Sequence, residues 1–216
     1  LYALDAPPGV TRLVAGRPDP VRCPVTGTVN DCFVLVQAYA GGNPFLQPET
    51  STQWNLGFVW QAARGVALSV DHWRIRHDGV IAPLDPEDAL TYQVRFNDRI
   101  IRGPADPAFP ALPGPIIGLN LSPINLGTTH AAGFDVTLNA AAPPNEWGVL
   151  RAGLQGSYVT RYETQINGVQ FVSMLGSAVN GAPIPRWRST LTLDWSRGPW
   201  GATLARLYSH GYTDQQ

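Results

Sequence analysis

The feature that most constrains this chain is an alternating run of apolar and polar residues between positions 51 and 61. Trp54, Leu56, Phe58 and Trp60 fall on one side of the alternation, and the residues between them are polar or small, apart from Val59. A period of two predicts a β-strand with one aromatic, apolar face and one hydrophilic, uncharged face. The class of protein then depends on which environment lies against each face.

The same alternation recurs in pairs of segments that are joined by short connections. Further strands are predicted over residues 66–80, 147–163, 186–195 and 200–212. Another strand ends at 139, and its alternation is clearest over 133–139. Short turns are predicted at 62–65, 140–146 and 196–199. Long segments separate the pairs. Short and long connections in alternation predict an all-β fold, an antiparallel up-and-down meander of about six long strands.

The second strand of the first pair changes character halfway along. Beyond Val70 the polar side chains His72, Arg74 and Arg76 continue the formerly apolar face, whereas Trp73 and Ile75 lie on the other. A strand that leaves one solvent for another shows this pattern. A β-bulge also exchanges the two faces, so both explanations stay open.

Tryptophan positions and the scarcity of charge favour a membrane environment. Charged residues make up 14% of the chain, against a usual share of roughly 25%. Tryptophans fall in two groups, Trp60, Trp147, Trp195 and Trp200 beside the short turns and Trp54, Trp73 and Trp187 about six to eight residues away. At ~3.3 Å per residue and a tilt of ~40°, that spacing approaches the ~25 Å apolar band of an outer-membrane barrel. The two girdles predict an apolar face against lipid and a polar face against a water-filled lumen.

Several other classes of protein are disfavoured. No segment reaches the ~18 consecutive apolar residues of a spanning helix, and the net charge of −1 gives no reason to expect a nucleic acid partner. Asp71 and His72 are neighbours on opposite faces, and the histidines lack the spacing of metal ligands. We therefore expect no enzymatic activity, metal site or cofactor. Because the chain starts without Met or a signal peptide, we also expect a fragment of a longer protein.

The segments between the strand pairs are predicted to be loops. Residues 1–49 contain many turn formers, with a short strand at 33–38. Cys23 and Cys32 suit a small loop closed by a disulfide in an oxidising compartment, and two free thiols are the alternative. A second long insertion covers about 82–114, where Asp85 as N-cap and Pro86 as first residue predict a short helix to about Asn97. A third covers about 164–185.

The turn that leads into the first strand resembles a known signature. Gly42-Asn43-Pro44-Phe45-Leu46-Gln47-Pro48-Glu49-Thr50 is similar to the Gly-Asn-Pro-x-Leu-x-Pro-Glu-[Ser/Thr] motif found late in the barrel of TonB-dependent outer-membrane receptors. The later family elements resemble Asp71-His72-Trp73-Arg74-Ile75, Asn125-Leu126-Gly127 and Gly133-Phe134-Asp135, in that order. His72 departs from the usual aromatic residue. The resemblance extends over about residues 40–213.

This resemblance implies a transmembrane β-barrel of about 22 strands with an N-terminal plug. Residues 50–216 are then part of that barrel, residues 1–49 are an extracellular loop region, and the short helix lies in an extracellular loop. The plug, the TonB box and the closing strand are expected outside this chain. The implied function is TonB-energised uptake of a scarce nutrient across the bacterial outer membrane. The implied partners are the TonB complex through the plug, outer-membrane lipid, and a siderophore, cobalamin, oligosaccharide or similar substrate.

Candidate functional residues fall into two sets. The resemblance assigns a structural role, without substrate contact, to the motif residues Asn43, Pro44, Leu46, Pro48, Glu49, Asn125, Gly127, Gly133 and Asp135. Alternation places Asp135, Arg161 and Arg188 on the polar faces of their strands. Arg161, Arg186 and Arg188 lie towards the predicted extracellular ends of these strands, where they could contact an anionic ligand or form salt bridges within the barrel wall.

A competing interpretation is a secreted, disulfide-containing β-sandwich that binds carbohydrate through exposed aromatic residues. It predicts that the aromatic faces of two sheets pack against each other. The barrel interpretation predicts six long strands in one sheet whose aromatic face has no protein partner.

Overall fold

The computed structural model describes residues 9–165, 170–178 and 184–214. The chain divides into two compact units, which we call unit 1 (Leu1–Glu49 with Gly79–Gly127) and unit 2 (Thr50–Asp78 with Thr128–Gln216). Among the described residues, no helix is long and apolar enough to cross a membrane.

The secondary structure consists mainly of strands. The helices are α1 (Cys23–Thr26), α2 (Val29–Cys32) and α3 (Pro86–Thr91), with a 3₁₀ turn at Asn97–Arg99. The strands are β1 (Gly9–Arg17), β2 (Val34–Ala40), β3 (Thr50–Ala63), β4 (Val66–Ala82), β5 (Ile100–Arg102), β6 (Ile116–Asn120), β7 (Ile124–Ala141), β8 (Val149–Gln165), β9 (Phe171–Ser173), β10 (Ser177–Ala178), β11 (Trp187–Arg197), β12 (Trp200–Ser209) and β13 (Thr213–Asp214).

Unit 1 contains a four-stranded sheet in the order β1-β2-β6-β5. β2 pairs antiparallel with β1 and parallel with β6. The short strand predicted at 33–38 is confirmed as β2. The long loop expected over the rest of residues 1–49 is wrong, because this region also supplies β1 and two short helices. The parallel pairing joins segments about eighty residues apart in sequence, Gln37 with Gly118 for example, which a local pattern cannot reveal.

The core of unit 1 lies against this sheet. Val34, Val36 and Ala38 point inward from β2 in strict alternation with exposed neighbours. They pack with apolar residues from the segment after residue 80, namely Leu84, Ala89, Leu90, Phe96, Ile100, Ile116, Leu119, Leu121 and Leu126. Each fully buried Leu, Ile or Phe contributes roughly 1.5–3 kcal/mol of transfer free energy. Two sequence segments predicted as separate loops thus share one hydrophobic core.

A disulfide and a capped helix shape the first part of unit 1. The predicted Cys23–Cys32 disulfide is confirmed, so the alternative of two free thiols is wrong. It joins the start of α1 to the end of α2, whose N-cap Thr28 accepts a hydrogen bond from the amide of Asp31. These contacts close the ten-residue segment into a compact double turn.

Helix α3 starts at the predicted position and ends early. Asp85 is the N-cap, its carboxylate accepts a hydrogen bond from the amide of Glu87, and Pro86 is the first helical residue. The helix ends at Thr91, not at about Asn97. A turn then brings Phe96 into the core with only 3% exposure. Core packing of this aromatic side chain overrides the local preference for a longer helix.

Unit 2 contains six long strands in the order β3-β4-β7-β8-β11-β12, each next to its neighbour in sequence among the long strands. The pairs β3–β4, β7–β8, β8–β11 and β11–β12 are antiparallel, as predicted for a meander. Short β9 adds to the far end of β8. The insertion predicted at about 164–185 is only partly described, since residues 166–169 and 179–183 lie outside the described ranges. No sheet closes on itself within the described residues.

The short turns require glycine at two positions. Gly65, between β3 and β4, has a φ of +83°, and Gly198, between β11 and β12, has a φ of +56°. Residues with a Cβ rarely adopt these angles. At Gly65 an added Cβ would also lie 2.6 Å from the carbonyl oxygen of Ala141. These two turns fix the hairpin registers.

Registers assign each side chain of unit 2 to one of two faces. The aromatic face carries Trp54, Leu56, Phe58 and Trp60, and the polar face carries the residues between them. From Thr50 to Gln61 the pairing with β4 is continuous, so the exchange of character beyond Val70 does not come from a β-bulge. Trp73 pairs with Asn55 and lies on the polar face. Its predicted place in an aromatic girdle is therefore wrong.

The aromatic face of unit 2 has no protein cover among the described residues. Leu56 is 70% exposed, Phe58 62% and Leu204 66%. Among the described residues, every buried Val, Leu, Ile or Phe belongs to unit 1. A β-sandwich would bury such a face against a second sheet. The described structure therefore contradicts the sandwich alternative.

Candidate functional site

Two side chains of the Gly-Asn-Pro motif are used for contacts inside unit 1. The amide nitrogen of Asn43 donates to the carbonyl of Pro123 (2.9 Å), while its oxygen accepts from the amide of Phe45 (3.0 Å). The carboxylate of Glu49 accepts from the amide of Ile81 (2.7 Å). Both side chains satisfy backbone groups that would otherwise lack partners in an irregular segment. Neither has the free geometry of a ligand contact.

Asn125 makes a second set of bridges in the same unit. Its nitrogen donates to the carbonyls of Gln47 (2.8 Å) and Gly79 (2.7 Å), and its oxygen accepts from the amide of Gln47 (2.8 Å). Gly127 nearby in sequence is buried. The remaining motif residues of unit 1 differ in exposure, with Pro44 and Pro48 exposed and Leu46 half-buried. The motif therefore holds three chain segments of unit 1 together.

Gly133 lies where aromatic packing leaves no room for a side chain. A Cβ at this position would come within 2.5 Å of the Trp73 ring and 2.6 Å of the Tyr158 carbonyl oxygen. The register of β7 and β8 shifts between Ala132 and Gly133. The glycine thus leaves room for the Trp73 ring beside β7 on the polar face.

A groove of about 610 Å³ runs along the polar face of unit 2. Side chains from four neighbouring strands line it, all polar except Leu207: Asp135 and Thr137 from β7, Gln155 and Ser157 from β8, Arg188 and Thr190 from β11, and Leu207 and Ser209 from β12. The groove offers hydroxyl, amide, carboxylate and guanidinium groups for hydrogen bonds. Asp135, a motif residue, lies in it as predicted for the polar face.

An apolar pocket of about 380 Å³ adjoins this groove towards the end of the strands away from the short turns. Trp73, Ile75, Val159, Tyr162 and Pro185 supply most of its lining. Ser157 and Arg188 line both the pocket and the groove. Together they form a continuous surface with aromatic, hydroxyl and cationic groups, which suits an amphiphilic organic molecule. Sequence reasoning missed this pocket, although the shift of Trp73 and Ile75 to the polar side was its signal.

The three predicted ligand arginines do not converge. Arg188 lies on the polar face opposite Ser157, and Arg186 is exposed just before β11. Arg161 instead lies on the aromatic face, because the bulge that starts at Ala132 inserts one extra residue into β8 and shifts its alternation. Its guanidinium is ion-paired with Glu163. The expected position of Arg161 among the polar-face residues is therefore wrong.

A histidine stacks at the same end of the sheet. The His130 ring stacks on Phe171 with centroids 5.0 Å apart, and its Nδ1 lies 3.3 Å from the Glu163 carboxylate. These contacts tie β9 to the end of the β7–β8 hairpin. Within the described residues, no three His, Cys, Asp or Glu side chains gather as a metal site.

Unit 1 contains a separate cluster of buried charges. Asp19 is fully buried and accepts hydrogen bonds from Arg102 (2.7 Å). Arg22 is almost fully buried, and its Nε donates to Asp31 (2.9 Å) while its NH2 group donates to Asp106 (3.2 Å). Every one of these charges has a partner of opposite sign. The cluster is occupied by its own contacts and fixes the loops rather than a ligand.

The pKa values in this cluster follow from the pairing. Burial raises the pKa of Asp19, but the hydrogen bonds and charge of Arg102 and the amides of Val21 and Arg22 outweigh it, so the net pKa is lowered. Burial likewise raises the pKa of Asp31, but the hydrogen bonds from Arg22 and two threonine hydroxyls and the charge of Arg22 outweigh it, so its net pKa is also lowered. Both carboxylates therefore stay ionised throughout the neutral pH range.

Residues 8–216 match the family model described as "TonB dependent receptor-like, beta-barrel". Among solved structures, the crystal structure of the ferric enterobactin receptor PfeA in complex with BCV-L6 is similar, with a TM-score of 0.44 and 16% identity over 78% of this chain and 20% of that chain. The chain thus spans 20% of the length of that receptor. No curated protein matches.

Proposed function

Because this chain belongs to the TonB-dependent receptor-like β-barrel family, we propose that it is part of an outer-membrane receptor that imports a scarce nutrient with energy from TonB. Its six long strands form one side of a closed barrel of about 22 strands. A plug outside this chain occludes the lumen and contacts TonB. The outer membrane sustains no ion gradient of its own, so energy has to arrive from the inner membrane.

The uncovered aromatic face is the observation that carries this proposal. Leu56, Phe58 and Leu204 are each more than half exposed, although burial of such a side chain is worth roughly 1.5–3 kcal/mol. A bilayer removes these side chains from water without a second protein layer. The opposite face, with its polar groove, suits a lumen.

The two ends of the strands support one orientation. Short turns are typical of the periplasmic side of such barrels, and long segments are typical of the extracellular side. The turns at Gly65 and Gly198 are then periplasmic. Unit 1 and the segment from 164 to 185 are extracellular, and α3 lies in an extracellular insertion. The buried, disulfide-linked parts of unit 1 suit an oxidising environment outside the cell.

The polar face is the proposed path of the nutrient and the proposed seat of the plug. Arg188 lies at the junction of the groove and the apolar pocket, where its guanidinium suits an anionic group of the substrate. Arg186 is a further candidate because it is exposed beside β11. The motif residues Asn43, Glu49 and Asn125 shape the chain and touch no nutrient. Ferric siderophores, cobalamin and oligosaccharides all remain substrate candidates.

A growth experiment tests the transport function. The intact receptor is expressed in a bacterial strain that lacks its own receptors, with and without TonB, and growth is followed on limiting ferric siderophores, cobalamin or oligosaccharides. We expect growth on at least one nutrient that requires both the receptor and TonB. Receptor-dependent growth that persists without TonB would contradict the proposal, as would recovery of the receptor in the soluble fraction without detergent.

A substitution tests the assignment of Arg188. We expect Arg188→Gln to raise the half-saturating concentration of an anionic nutrient about tenfold, since a hydrogen bond to a charged group contributes roughly 1.5–3 kcal/mol. Arg64→Gln removes the same charge in the short turn between β3 and β4 and serves as the control. Equal uptake by both variants would remove Arg188 from the path.

A further inference from the structure

Cationic side chains lie on the aromatic face of unit 2 at the end of the strands away from the short turns. Arg74 is paired across the strands with Trp54, and Arg76 with Thr52. The continuous register keeps both arginines on the face of Leu68, which pairs with Trp60 at the other end of the hairpin. Charged side chains on a face otherwise built from apolar residues need an anionic or aqueous environment.

These charges are not cancelled by their neighbours. Arg76 donates to one carboxylate oxygen of Asp78 (2.7 Å), and the other oxygen accepts from the hydroxyl of Thr128 (2.9 Å). Arg74 is exposed, and within the described part of the chain its guanidinium has no ion-pair partner. Two guanidinium groups and one carboxylate leave the site with a net positive charge.

The side chains enclose a space that fits a phosphorylated headgroup. Thr52, Trp54, Arg74, Arg76 and Asp78 line a pocket of about 430 Å³. Residues two apart on one face of a strand are separated by roughly 7 Å, so both guanidinium groups reach a single phosphate. The planar guanidinium fork matches phosphate oxygens, and the Thr52 hydroxyl adds a further donor.

The position of the pocket along the strands indicates a membrane interface. Directly next to Arg74 on the same face, the His72 ring lies between Trp54 and Phe134, with centroids 4.9 Å and 4.7 Å away. Val70 and Leu68 follow on this face. From Val66 at the start of β4 to Arg74, a strand tilted by ~40° rises roughly 20 Å, which approaches the ~25 Å height of an apolar barrel band. Aromatic rings followed by cations are typical of the boundary between acyl chains and headgroups.

We propose that Arg74 and Arg76 form a binding site for the phosphate of a lipid headgroup in the outer leaflet. This inference rests on the proposed function, because it requires the aromatic face to lie in the membrane with the short turns on the periplasmic side. The acyl chains of the lipid lie along Trp54 and Leu56, which a free phosphate could not contact. That continuity with the apolar face is the reason for choosing a lipid over a soluble anion.

Native mass spectrometry of the intact receptor in detergent tests the site. The probes are diphosphorylated lipid A and the same lipid without phosphates. Arg74→Gln with Arg76→Gln is compared with Arg64→Gln with Arg197→Gln, two exposed arginines at the short-turn end that remove the same charge. Because Arg76 is paired with Asp78, Arg74→Gln alone serves as a second variant that breaks no ion pair among the described residues. We expect at least a tenfold loss of affinity for the phosphorylated lipid in the double variant and a smaller loss in the single one.

Three results would overturn the inference. They are unchanged affinity in both Arg74 variants, an equal loss in the control pair, and displacement of the lipid by millimolar inorganic phosphate, which would indicate a site for the free anion. Fractionation of the same cells separates this inference from the proposed function. A receptor absent from the outer membrane contradicts the proposed function. A membrane-inserted receptor whose affinity for the lipid is unchanged in the Arg74 variants contradicts only the lipid site.

Discussion

The two units of this chain differ in the burial of their apolar side chains. In unit 1 they are buried: Leu119 has no exposure and Leu90 has 3%. In unit 2 they line a single sheet and stay open, with Leu204 at 66% and Phe58 at 62%. Unit 1 therefore has an internal hydrophobic core, while the apolar face of unit 2 has no protein cover among the described residues.

Charges differ between the units in the same sense. Asp19 and Arg22 of unit 1 are buried and paired. In unit 2, Asp194 accepts a hydrogen bond from Thr203 on a half-exposed surface. The comparison shows that two parts of one chain can accommodate their apolar and charged side chains in different ways. A change that matters in one unit should matter little at the matching position of the other.

The largest expected effect is the loss of a core leucine. Leu119→Ala should destabilise unit 1 by about 3 to 4 kcal/mol, because it removes buried methyl groups and leaves a cavity. Leu204→Ala, the same change on the aromatic face, should cost below about 1 kcal/mol since lipid or detergent fills the space. Hydrogen exchange of the Val34–Ala40 and Trp200–Ser209 segments in the intact receptor measures both. Similar destabilisation by Leu119→Ala and Leu204→Ala would contradict the difference between the two units.

Removing a buried charge comes next. Asp19→Asn should cost about 2 to 4 kcal/mol in unit 1, since it leaves Arg102 without its carboxylate in a partly dehydrated place. Asp194→Asn keeps an oxygen that can accept from Thr203 and should cost below about 1 kcal/mol. The exchange of unit 1 segments reports the first, and tryptophan fluorescence reports the second. All tryptophans belong to unit 2, so the signal is specific. A larger effect of Asp194→Asn would reverse the account.

Loss of the disulfide should have a somewhat smaller effect. Replacing Cys23 and Cys32 together by serine frees a ten-residue loop, for which chain entropy predicts about 2 to 3 kcal/mol of destabilisation. The loss should appear as faster exchange in α1 and α2, with unchanged tryptophan fluorescence. A shift in the fluorescence transition would mean that the two units unfold as one.

Mild acid gives the smallest effect. The pKa values of Asp19 and Asp31 are lowered in the folded protein, so their stabilisation is complete above the unfolded value of about 3.9 and is lost as the pH falls below it. We expect unit 1 to be unaffected at neutral pH and to lose protection progressively below about pH 4. Pulsed hydrogen exchange at one fixed pH, after incubation at each test pH, measures this. In Asp19→Asn the acid sensitivity should be smaller, and equal sensitivity would exclude that carboxylate as a cause.

Much of unit 2 could be predicted because its pattern is local. The alternation around Trp54 predicts residues 51–61, and the structure has β3 at Thr50–Ala63. The turns containing Gly65 and Gly198 also follow from short-range chemistry. A period of two records the difference between two faces in the sequence itself, so the strands and their order could be read without any tertiary information.

Most of unit 1 could not be predicted, since its tertiary structure depends on distant partners. The disulfide, the strand at 33–38 and the start of α3 are the local exceptions. Val36 has an unremarkable neighbourhood in sequence, and only the pairing of β2 with β6 shows that it is core. The predicted position of Arg161 on the polar face was wrong for a related reason. Its side of the sheet is set by a bulge, whose single extra residue leaves no distinctive pattern in the sequence. The pocket of Trp73 depends on that same geometry.

The central claim is that the aromatic face of unit 2 meets lipid and the polar face meets water. Nitroxide labels placed singly from residue 53 to residue 60 of the intact receptor in bilayers test it most directly, because the Cys23–Cys32 disulfide does not react with the label. At Trp54, Leu56, Phe58 and Trp60 we expect high accessibility to oxygen and low accessibility to a water-soluble nickel complex, with the opposite at the positions between them. Uniform accessibility to the nickel complex on both faces would contradict the account.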